Sequence, residues 1–327
     1  MKAITRDAYG NSDVLHIEEI QKPEHADNEI LIRVHFTTVN RTDCANLSAT
    51  QFLLRLFLGL RRPTSRVPGT DFAGEVVGIG TKVNAFSVGD RVFGLNDVGL
   101  ASQAEFMVIK QDQAIQTIPK NVGYDQAAAC AEGAHYAYNF LNKVQLNKGD
   151  KILVNGATGA IGSALFQILK SIGIYVTAVG NTKNMELLIS QGADKVYNYE
   201  TEDFTQIDND QYDFVFDAVG KSSFGKCKNL LKPKGIYISS ELGPGSENLY
   251  LPFITSLQGG KRVAFPFPKD KKQSISSIRQ LLENGKFKPV IDRTYTPEEV
   301  RDAYDYVQSG NKTGNVLIDF SRAEESS

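Results

Sequence analysis

The sequence has 327 residues, of which 41% are hydrophobic and 23% charged, and it contains no apolar run of about 18 residues that would span a membrane. This composition excludes a disordered chain and stable membrane insertion, and the length suits two domains. Lys and Arg (36) nearly balance Asp and Glu (38), which argues against a nucleic-acid partner and favours a small-molecule partner. The three cysteines lack CxxC spacing and the N-terminus lacks an apolar signal-peptide core, so we expect a reducing, cytoplasmic location.

Short β-type runs, separated by Gly, Pro and Asn, fill the chain up to about residue 120 and predict a β-rich, barrel-like domain. These runs are residues 30–36, 72–79, 91–93 and 106–109. The stretch 47–66, LSATQFLLRLFLGLRRPTSR, mixes apolar residues with arginines. We favour an amphipathic packing segment with a solvated basic edge over a substrate lid or a membrane-surface helix.

Helical patterns alternate with short apolar strands from Asp125, a predicted N-cap, onward. The predicted strands are 151–154, 175–179, 214–216 and 235–239, and the predicted helices between them are 163–172, 185–191 and 224–231. This alternation is typical of a parallel, doubly wound sheet. Near the C-terminus one amphipathic helix is expected to stop near Gly285, and another to begin at Thr296 with Glu299 completing a capping box.

The glycine-rich stretch VNGATGAIGSA, residues 154–164, lies between a predicted strand and a predicted helix. In that context free N–H groups and the positive end of the helix would face a pyrophosphate. Gly159 would let the backbone approach the ligand, and Gly162 would let the helix pack closely on the strand. The alternative is a tight turn without a ligand. The predicted cofactor contacts of this loop are Thr158, Gly159, Ala160, Ile161 and Gly162.

The tip of the next strand indicates which dinucleotide binds. Its residues are Gly180, Asn181, Thr182 and Lys183, with no acid among them. An NAD site usually has Asp or Glu here, whereas a 2′-phosphate needs neutral donors and a cation, so we predict NADPH as the cofactor and all four residues as contacts. Lys183 as an ordinary solvated lysine is the alternative. Tyr199, after the third strand, would either stack on the adenine or pack at the rim.

The β-rich N-terminal part followed by LVNGATGAIG, SQGADKVYNYETEDF and FDAVGKSSF resembles the medium-chain dehydrogenase/reductase superfamily, and within it the zinc-independent quinone oxidoreductase branch. The segments EILIRVHFTTVNRTDCA, VPGTDFAGEVVGIG and TGNVLIDF extend the resemblance over nearly the whole chain. It implies an α/β fold in which a Rossmann doubly wound parallel sheet is inserted into a chaperonin-10-like (GroES-like) β-barrel domain. The implied domains are 1–122 with 263–327 for the GroES-like catalytic part and 123–262 for the Rossmann part. A homodimer is also implied.

Alcohol dehydrogenases of this superfamily hold a catalytic zinc, but the matching positions here have changed. Asn40, Thr70 and Asp71 stand at three of the ligand positions, with Cys130 and Glu132 near the remaining one. Zn²⁺ requires a tetrahedral set of Cys, His or carboxylate ligands, which these residues supply poorly. We therefore expect no metal.

A site without zinc favours particular substrates. Hydride reduction of a simple ketone makes an alkoxide whose conjugate acid has a pKa of about 16, whereas a quinone gives a phenolate-like oxygen with a pKa of about 10. The difference is roughly 8 kcal/mol of charge stabilisation that the protein need not supply. We expect hydride transfer from NADPH to small hydrophobic electrophiles, either quinones or α,β-unsaturated carbonyls. The alternative is a nucleotide-binding interaction protein of the same fold with little or no turnover.

The resemblance also implies individual site residues. Asn40 would lie beside the nicotinamide ribose, and Asp43 would brace the same loop, where we favour a cap or turn role over direct proton transfer. Tyr136 stands where this branch usually has Thr, unless the register slips to Ala134. The other expected cofactor contacts are Ala218, Val219, Gly220, Leu242, Gly243, Phe265, Phe267 and Asn315. Core packing is an equal alternative for the two phenylalanines, and Asn315 replaces a Lys found in many relatives.

Overall fold

The computed structural model describes residues 1–50, 52–268 and 270–321, and the side chains of residues 52–54 lie outside this description. In chain order the first elements are β1 (Lys2–Arg6), β2 (Leu15–Glu19), β3 (Glu29–Val39), α1 (Arg41–Ser48), α2 (Phe52–Leu58), β4 (Asp71–Ile79), β5 (Arg91–Leu95), β6 (Phe106–Lys110), β7 (Ile115–Thr117) and α3 (Tyr124–Leu141). They are followed by β8 (Lys151–Asn155), α4 (Ala160–Ser171), β9 (Tyr175–Gly180), α5 (Met185–Ser190), β10 (Lys195–Asn198), α6 (Phe204–Ile207), β11 (Tyr212–Asp217), α7 (Phe224–Cys227), β12 (Leu231–Ser239), α8 (Glu247–Leu257) and β13 (Arg262–Ala264). The last elements are α9 (Lys271–Glu283), β14 (Ile291–Tyr295), α10 (Val300–Ser309) and β15 (Asn315–Asp319).

The chain forms two compact units. The first unit combines Met1–Glu132 with Asp270–Ser327, and the second unit is Gly133–Lys269. The domains expected from sequence, 1–122 with 263–327 and 123–262, stay a prediction, because compactness alone does not define the boundaries of a family domain.

The second unit is built on a sheet of six described strands, in the order β10-β9-β8-β11-β12-β13. Every neighbouring pair in it is parallel. Strands buried on both faces need nearly continuous apolar runs, and β8 and β9 have them. This order reverses direction between β8 and β11, as in doubly wound dinucleotide-binding sheets, so the predicted parallel α/β fold is confirmed.

The first unit carries a largely antiparallel sheet, in which the described strands follow the order β14-β15-β3-β4-β5-β7 and β6 also pairs with β3. The long central strand β3 alternates buried and half-buried residues along its first part, as a strand with one face on a core should. Ile30, Ile32 and Val34 from that face pack with Phe72 and Tyr304 in the core of this unit. The predicted β-rich domain is therefore confirmed.

Two helix predictions differ from the structure. Helix α3 begins at Tyr124, so Asp125 lies in its first turn, where a carboxylate still interacts favourably with the helix dipole, and is not the N-cap. The helix predicted for 224–231 ends at Cys227, and after one 3₁₀ turn β12 begins at Leu231. The sequence did not reveal the early start of β12 because Pro233 and Gly235 are residues typical of turns. Lys234 between them has a φ of +68°.

The C-terminal predictions hold. Helix α9 ends at Glu283, shortly before Gly285, whose φ of +64° suits a helix end. The Glu299 carboxylate accepts hydrogen bonds from the Thr296 backbone N–H at 2.8 Å and from its hydroxyl at 3.0 Å. These two residues form the expected capping box at the 3₁₀ turn Pro297–Glu299, which leads directly into α10.

The segment 47–66 contains the end of α1 and helix α2. The part of the predicted amphipathic segment at residues 51–54 lies outside the described side chains. Leu58 is buried, whereas Phe57 is 75% exposed. Arg66 forms ion pairs with Asp7 and Glu18. Among the helices of the described residues, none has both the length and the apolar character needed to cross a membrane.

Candidate functional site

The glycine loop joins β8 to α4 at the carboxyl edge of the parallel sheet. The N–H groups of Gly156 and Ala157 both donate to the Val179 carbonyl, at 3.1 and 3.0 Å, and this fixes the loop against β9. Gly159 is the N-cap of α4 and has no side chain to cap it. The first N–H groups of a helix have no acceptor within the helix, so those of Ala160 and Ile161 remain available to a ligand.

The glycines of the loop differ in the space around them. A methyl group at Gly162 would lie 2.0 Å from the Gly156 carbonyl oxygen, and one at Gly156, whose φ is +74°, would lie 2.3 Å from Val219 Cγ1. At Gly159 the nearest atom to an added Cβ is the Gly156 oxygen, at 3.6 Å. The loop is tightly packed at Gly156 and Gly162 and open at Gly159. An open, uncapped helix N-terminus fits the pyrophosphate of a nicotinamide dinucleotide.

The tips of β9 and β10 lie together beside this loop. The Tyr199 N–H donates to the Gly180 carbonyl at 3.0 Å, which brings the third strand's end to that of the second. A Cβ added at Gly180 would lie 3.2 Å from Thr158 Cγ2, so the loop residue Thr158 borders the same place. Lys183 is exposed, and the Tyr199 side chain is 54% exposed. The residues predicted to hold the adenosine end of the cofactor thus share one edge.

Sequence reasoning missed an acid at this edge. The Glu200 carboxylate accepts hydrogen bonds from Thr182, at 3.0 Å from its N–H and 2.6 Å from its hydroxyl. These two hydrogen bonds lower the pKa of Glu200, with a smaller contribution from the Lys183 charge. The sequence pattern places this acid at the tip of the second strand, whereas Glu200 follows the neighbouring third strand. The predicted absence of an acid therefore holds for residues 180–184 but not for the edge as a whole.

A second missed residue organises the end of β11. The buried Asp217 carboxylate accepts hydrogen bonds from Asn155 Nδ2 at 3.0 Å, from the Ser222 N–H at 2.9 Å and from the Tyr237 hydroxyl at 2.9 Å. The Ala218 N–H donates to the Asn155 carbonyl at 3.0 Å. Asp217 thus fixes the turn that carries the predicted contacts Ala218, Val219 and Gly220. The sequence pattern that could have identified this contact is the polar residue at the end of each apolar strand, Asn155 at the end of β8 and Asp217 at the end of β11.

The remaining predicted residues of the second unit lie in three places. Leu242 and Gly243 follow β12, and Gly243 has a φ of +74°. The rings of Phe265 and Phe267 meet edge to face at 4.7 Å, and Phe267 is 55% exposed. Tyr136 lies half-buried on α3, and its ring is edge-on to His135 at 5.4 Å.

In the first unit Asn40 belongs to a buried polar cluster at the end of β3. The Asp71 carboxylate accepts hydrogen bonds from the Thr38 N–H at 2.8 Å and the Thr38 hydroxyl at 2.6 Å. Asn40 Nδ2 donates to Thr70 Oγ1 at 2.8 Å and to Thr38 Oγ1 at 3.1 Å. Burial raises the pKa of Asp71 to about 6, although its hydrogen bonds with Thr38 act in the opposite direction. We call Thr38, Asn40, Thr70 and Asp71 the β3-end cluster.

Asp43 caps the helix that follows this cluster. Its Oδ2 accepts from the Asn40 N–H at 3.1 Å, and the Asn40 side-chain oxygen accepts from the Asp43 N–H at 2.8 Å, which makes a reciprocal capping box. Burial raises the pKa of Asp43 well above its ordinary value, and the nearby Asp71 adds to this effect. Asn315 is also buried, and its Nδ2 donates to the Val290 carbonyl at 3.0 Å, an internal contact of the first unit.

The residues at the positions of the superfamily's zinc ligands are poorly suited to a metal. The Cys130 thiol donates to the Ala127 carbonyl at 3.0 Å, and burial raises the pKa of this thiol well above its ordinary value, whereas zinc binds the thiolate. Burial also raises the pKa of Glu132 to about 7, and its carboxylate accepts from the Thr42 hydroxyl at 3.0 Å. Within residues 1–50, 52–268 and 270–321, no three His, Cys, Asp or Glu residues are grouped so that they could hold a metal ion.

Comparison with known proteins identifies the family. The model of the alcohol dehydrogenase GroES-like domain matches residues 26–145, and that of the zinc-binding dehydrogenase matches residues 191–318. The chain is 30% identical to 2-methylene-furan-3-one reductase of Solanum lycopersicum, over 97% of this chain and 79% of that protein. It is 28% identical to the chloroplastic NADPH-dependent alkenal/one oxidoreductase of Arabidopsis thaliana, with the same 97% and 79% coverage.

A solved structure extends this similarity to the fold. The quinone oxidoreductase from Coxiella burnetii superposes with a TM-score of 0.87 at 25% identity, over 98% of this chain and 99% of that chain. With the GroES-like match, this confirms the predicted combination of a Rossmann sheet and a GroES-like domain. The fold and the relatives both indicate an oxidoreductase that uses a nicotinamide cofactor. The chain therefore belongs to the medium-chain dehydrogenase/reductase superfamily and is quinone oxidoreductase-like.

Proposed function

We propose that the protein is an NADPH-dependent, zinc-independent reductase of quinones or α,β-unsaturated carbonyls. The names of two relatives, an alkenal/one oxidoreductase and a quinone oxidoreductase, support this substrate class because both describe conjugated acceptors. NADPH supplies a hydride when it is bound. The acceptors spread the resulting negative charge into a phenolate or an enolate, so they need less electrophilic assistance than a simple ketone.

The cofactor would be held by the carboxyl edge of the parallel sheet. The open backbone at Gly159 and the N–H groups of Ala160 and Ile161 suit the pyrophosphate. Lys183 would attract the 2′-phosphate, and the exposed ring of Tyr199 would stack on the adenine. We also propose Ala218, Val219, Gly220, Leu242, Gly243, Phe265 and Phe267 as cofactor contacts. Tyr136 would orient the nicotinamide, and Asn40 would be a positioning residue beside the nicotinamide ribose.

We propose that Asp43 and Asn315 support the site through the backbone and do not contact the reacting atoms. Asp43 is a positioning residue, since its carboxylate caps the helix that begins beside Asn40. The Asn315 amide donates to Val290, so its contribution to the cofactor would be to hold β15 in place.

The observation that carries zinc independence is the β3-end cluster. Asn40 cannot supply a thiolate, and its amide N–H groups are directed at oxygen atoms of Thr38 and Thr70. The Asp71 oxygens are already acceptors for Thr38. These groups satisfy one another, so a metal would have to break several buried hydrogen bonds to bind here.

Steady-state NADPH oxidation tests the proposal. The purified protein is assayed at 340 nm with 1,4-benzoquinone, trans-2-hexenal and cyclohexanone, before and after dialysis against EDTA. We expect turnover of the quinone, the enal or both, little turnover of the ketone, and no effect of the chelator. A protein that binds NADPH but reduces neither conjugated acceptor would favour the nucleotide-binding interaction protein. Reduction of cyclohexanone that is lost after dialysis against EDTA would overturn zinc independence.

A homodimer is proposed from the family resemblance, and a cytoplasmic location from the cysteine pattern and the N-terminal sequence. Cys44, Cys130 and Cys227 are all free thiols, as a reducing compartment requires. Sedimentation velocity tests the dimer. Imaging of the tagged full-length protein tests the location, and a chloroplast or mitochondrial signal would overturn it.

A further inference from the structure

The Glu200 carboxylate lies at the place where the proposed cofactor would carry its 2′-phosphate. It accepts from both hydrogen-bond donors of Thr182, the N–H at 3.0 Å and the hydroxyl at 2.6 Å. Asn198 Nδ2 donates to the same Thr182 hydroxyl at 2.8 Å, and Asn198 Oδ1 accepts from the Glu200 N–H at 3.1 Å. Glu200 is therefore held over Thr182 by its own turn.

Thr182 is a natural partner for a 2′-phosphate. It directly follows β9 and Asn181, at the edge where doubly wound folds bind the adenosine ribose. A phosphate would need the same N–H and hydroxyl donors that Glu200 now uses, and it would carry about two negative charges next to that carboxylate. A bound 2′-phosphate would displace Glu200 from Thr182 and still be repelled by its charge.

NADH faces neither penalty. Its ribose carries a neutral 2′-hydroxyl, which can donate a hydrogen bond to a carboxylate. Lys183 and Glu200 therefore act in opposite directions at one edge, since the lysine favours the phosphate and the glutamate disfavours it. The Lys183 charge contributes to the lowered pKa of Glu200, which indicates that the two groups interact.

We propose that Glu200 is a specificity-determining residue that limits the preference of this site for NADPH over NADH. The inference rests on the proposed function, because it assumes that a nicotinamide dinucleotide binds at this edge. It adds a residue that opposes the 2′-phosphate, so that the preference of the wild-type protein for NADPH is smaller than Lys183 alone would produce.

The test is equilibrium binding of NADPH and NADH, without substrate, to the wild-type protein and to Glu200→Gln. Glutamine keeps an oxygen that can accept from the Thr182 N–H, so the turn is preserved while the charge is removed. We expect Glu200→Gln to tighten NADPH binding about tenfold and to change the NADH dissociation constant by less than about threefold. The measurement is nucleotide fluorescence or calorimetric titration.

Glu202→Gln is the matched control. Glu202 lies in the same exposed turn, but its carboxylate accepts from the Asn198 N–H at 3.1 Å. We expect its NADPH-to-NADH preference to stay within about threefold of wild type. Equal effects of the two variants, or an unchanged preference in Glu200→Gln, would overturn the role of Glu200 while leaving the proposed function standing. A wild-type protein that binds neither dinucleotide would overturn both.

Discussion

The carboxyl edge of the parallel sheet and the β3-end cluster are both rich in polar groups, but they treat those groups differently. Around Gly159 the helix N-terminus is uncapped and space is open. In the β3-end cluster the side chains of Asn40 and Asp71 are buried and hydrogen-bonded to their neighbours. A polar region prepared for a ligand leaves donors available, whereas a structural one satisfies its own groups.

The largest expected effect distinguishes packing from binding within the glycine loop. In Gly162→Ala the new methyl group would lie 2.0 Å from the Gly156 carbonyl oxygen, so the helix must move away from the strand. We expect the free energy of unfolding to fall by more than about 3 kcal/mol, with loss of nucleotide binding. Urea denaturation and NADPH titration measure the two effects.

Gly159→Ala is the matched variant on the open side of the same loop. Its φ of −75° is allowed for alanine, and an added Cβ would have no atom closer than 3.6 Å. We expect a stability loss of about 1 kcal/mol or less, as for an N-cap change, but NADPH binding weakened about tenfold or more. If both variants lose stability equally, the space around Gly159 is as tightly packed as that around Gly162. The glycine loop would then be as fully packed as the β3-end cluster.

Asp71→Asn tests whether the β3-end cluster is structural. The neutral side chain keeps one acceptor oxygen, so one of the two Thr38 donors would face an NH₂ group. We expect the free energy of unfolding to fall by about 1 to 3 kcal/mol, because one of the two buried Thr38 donors loses its acceptor. Chemical denaturation measures it.

The exposed Asp112 provides the control for that substitution. We expect Asp112→Asn to change stability by less than about 0.5 kcal/mol. An Asp71→Asn protein as stable as this control would mean that the cluster is not built for stability and that Asp71 has to be reconsidered as a site residue.

The sequence predicted the sheet and its glycine loop because both depend on local pattern. Each of these features can be recognised within one short segment, as the apolar strands β8 and β9 and the glycines at the start of α4 illustrate. Contacts between segments were not visible. Glu200 reaches Thr182 only because β10 pairs with β9, and Asp217 reaches Asn155 only because β11 pairs with β8. The order of the strands in the sequence does not reveal which side chains meet across neighbouring strands.

The next effect is a pH dependence of stability in the first unit. Burial raises the pKa of Glu132 from 4.5 to about 7, although the Lys312 charge lowers it. Between these pKa values the folded state holds a proton that the unfolded state has lost. The stability contributed by this group is therefore complete below pH 4.5, declines as the pH rises towards the folded pKa of about 7, and is lost above it. Glu132→Gln removes this slope. We expect its stability relative to wild type to increase by about 2 kcal/mol between pH 5 and pH 8.

Denaturation curves at several pH values measure this difference. The exposed Glu24 offers a control, since Glu24→Gln should keep the wild-type slope. A Glu132→Gln protein whose stability runs parallel to wild type across this pH range would show that Glu132 is ionised in the folded state. The group would then have to be treated as an anion near Lys312.

The smallest expected effect concerns the exposed rim of the nucleotide edge. In Lys183→Ala the cation that interacts with Glu200 is removed, and the Glu200 carboxylate is left to oppose a 2′-phosphate alone. We expect the NADPH-to-NADH preference to fall about tenfold, or about 1.4 kcal/mol, while stability is unchanged, because the lysine is at the surface. Nucleotide titration measures it, with the exposed Lys226→Ala as the control. If Lys183→Ala leaves the preference unchanged, the rim is a solvated surface, and the contrast between an open edge and a closed cluster is confined to the glycine loop.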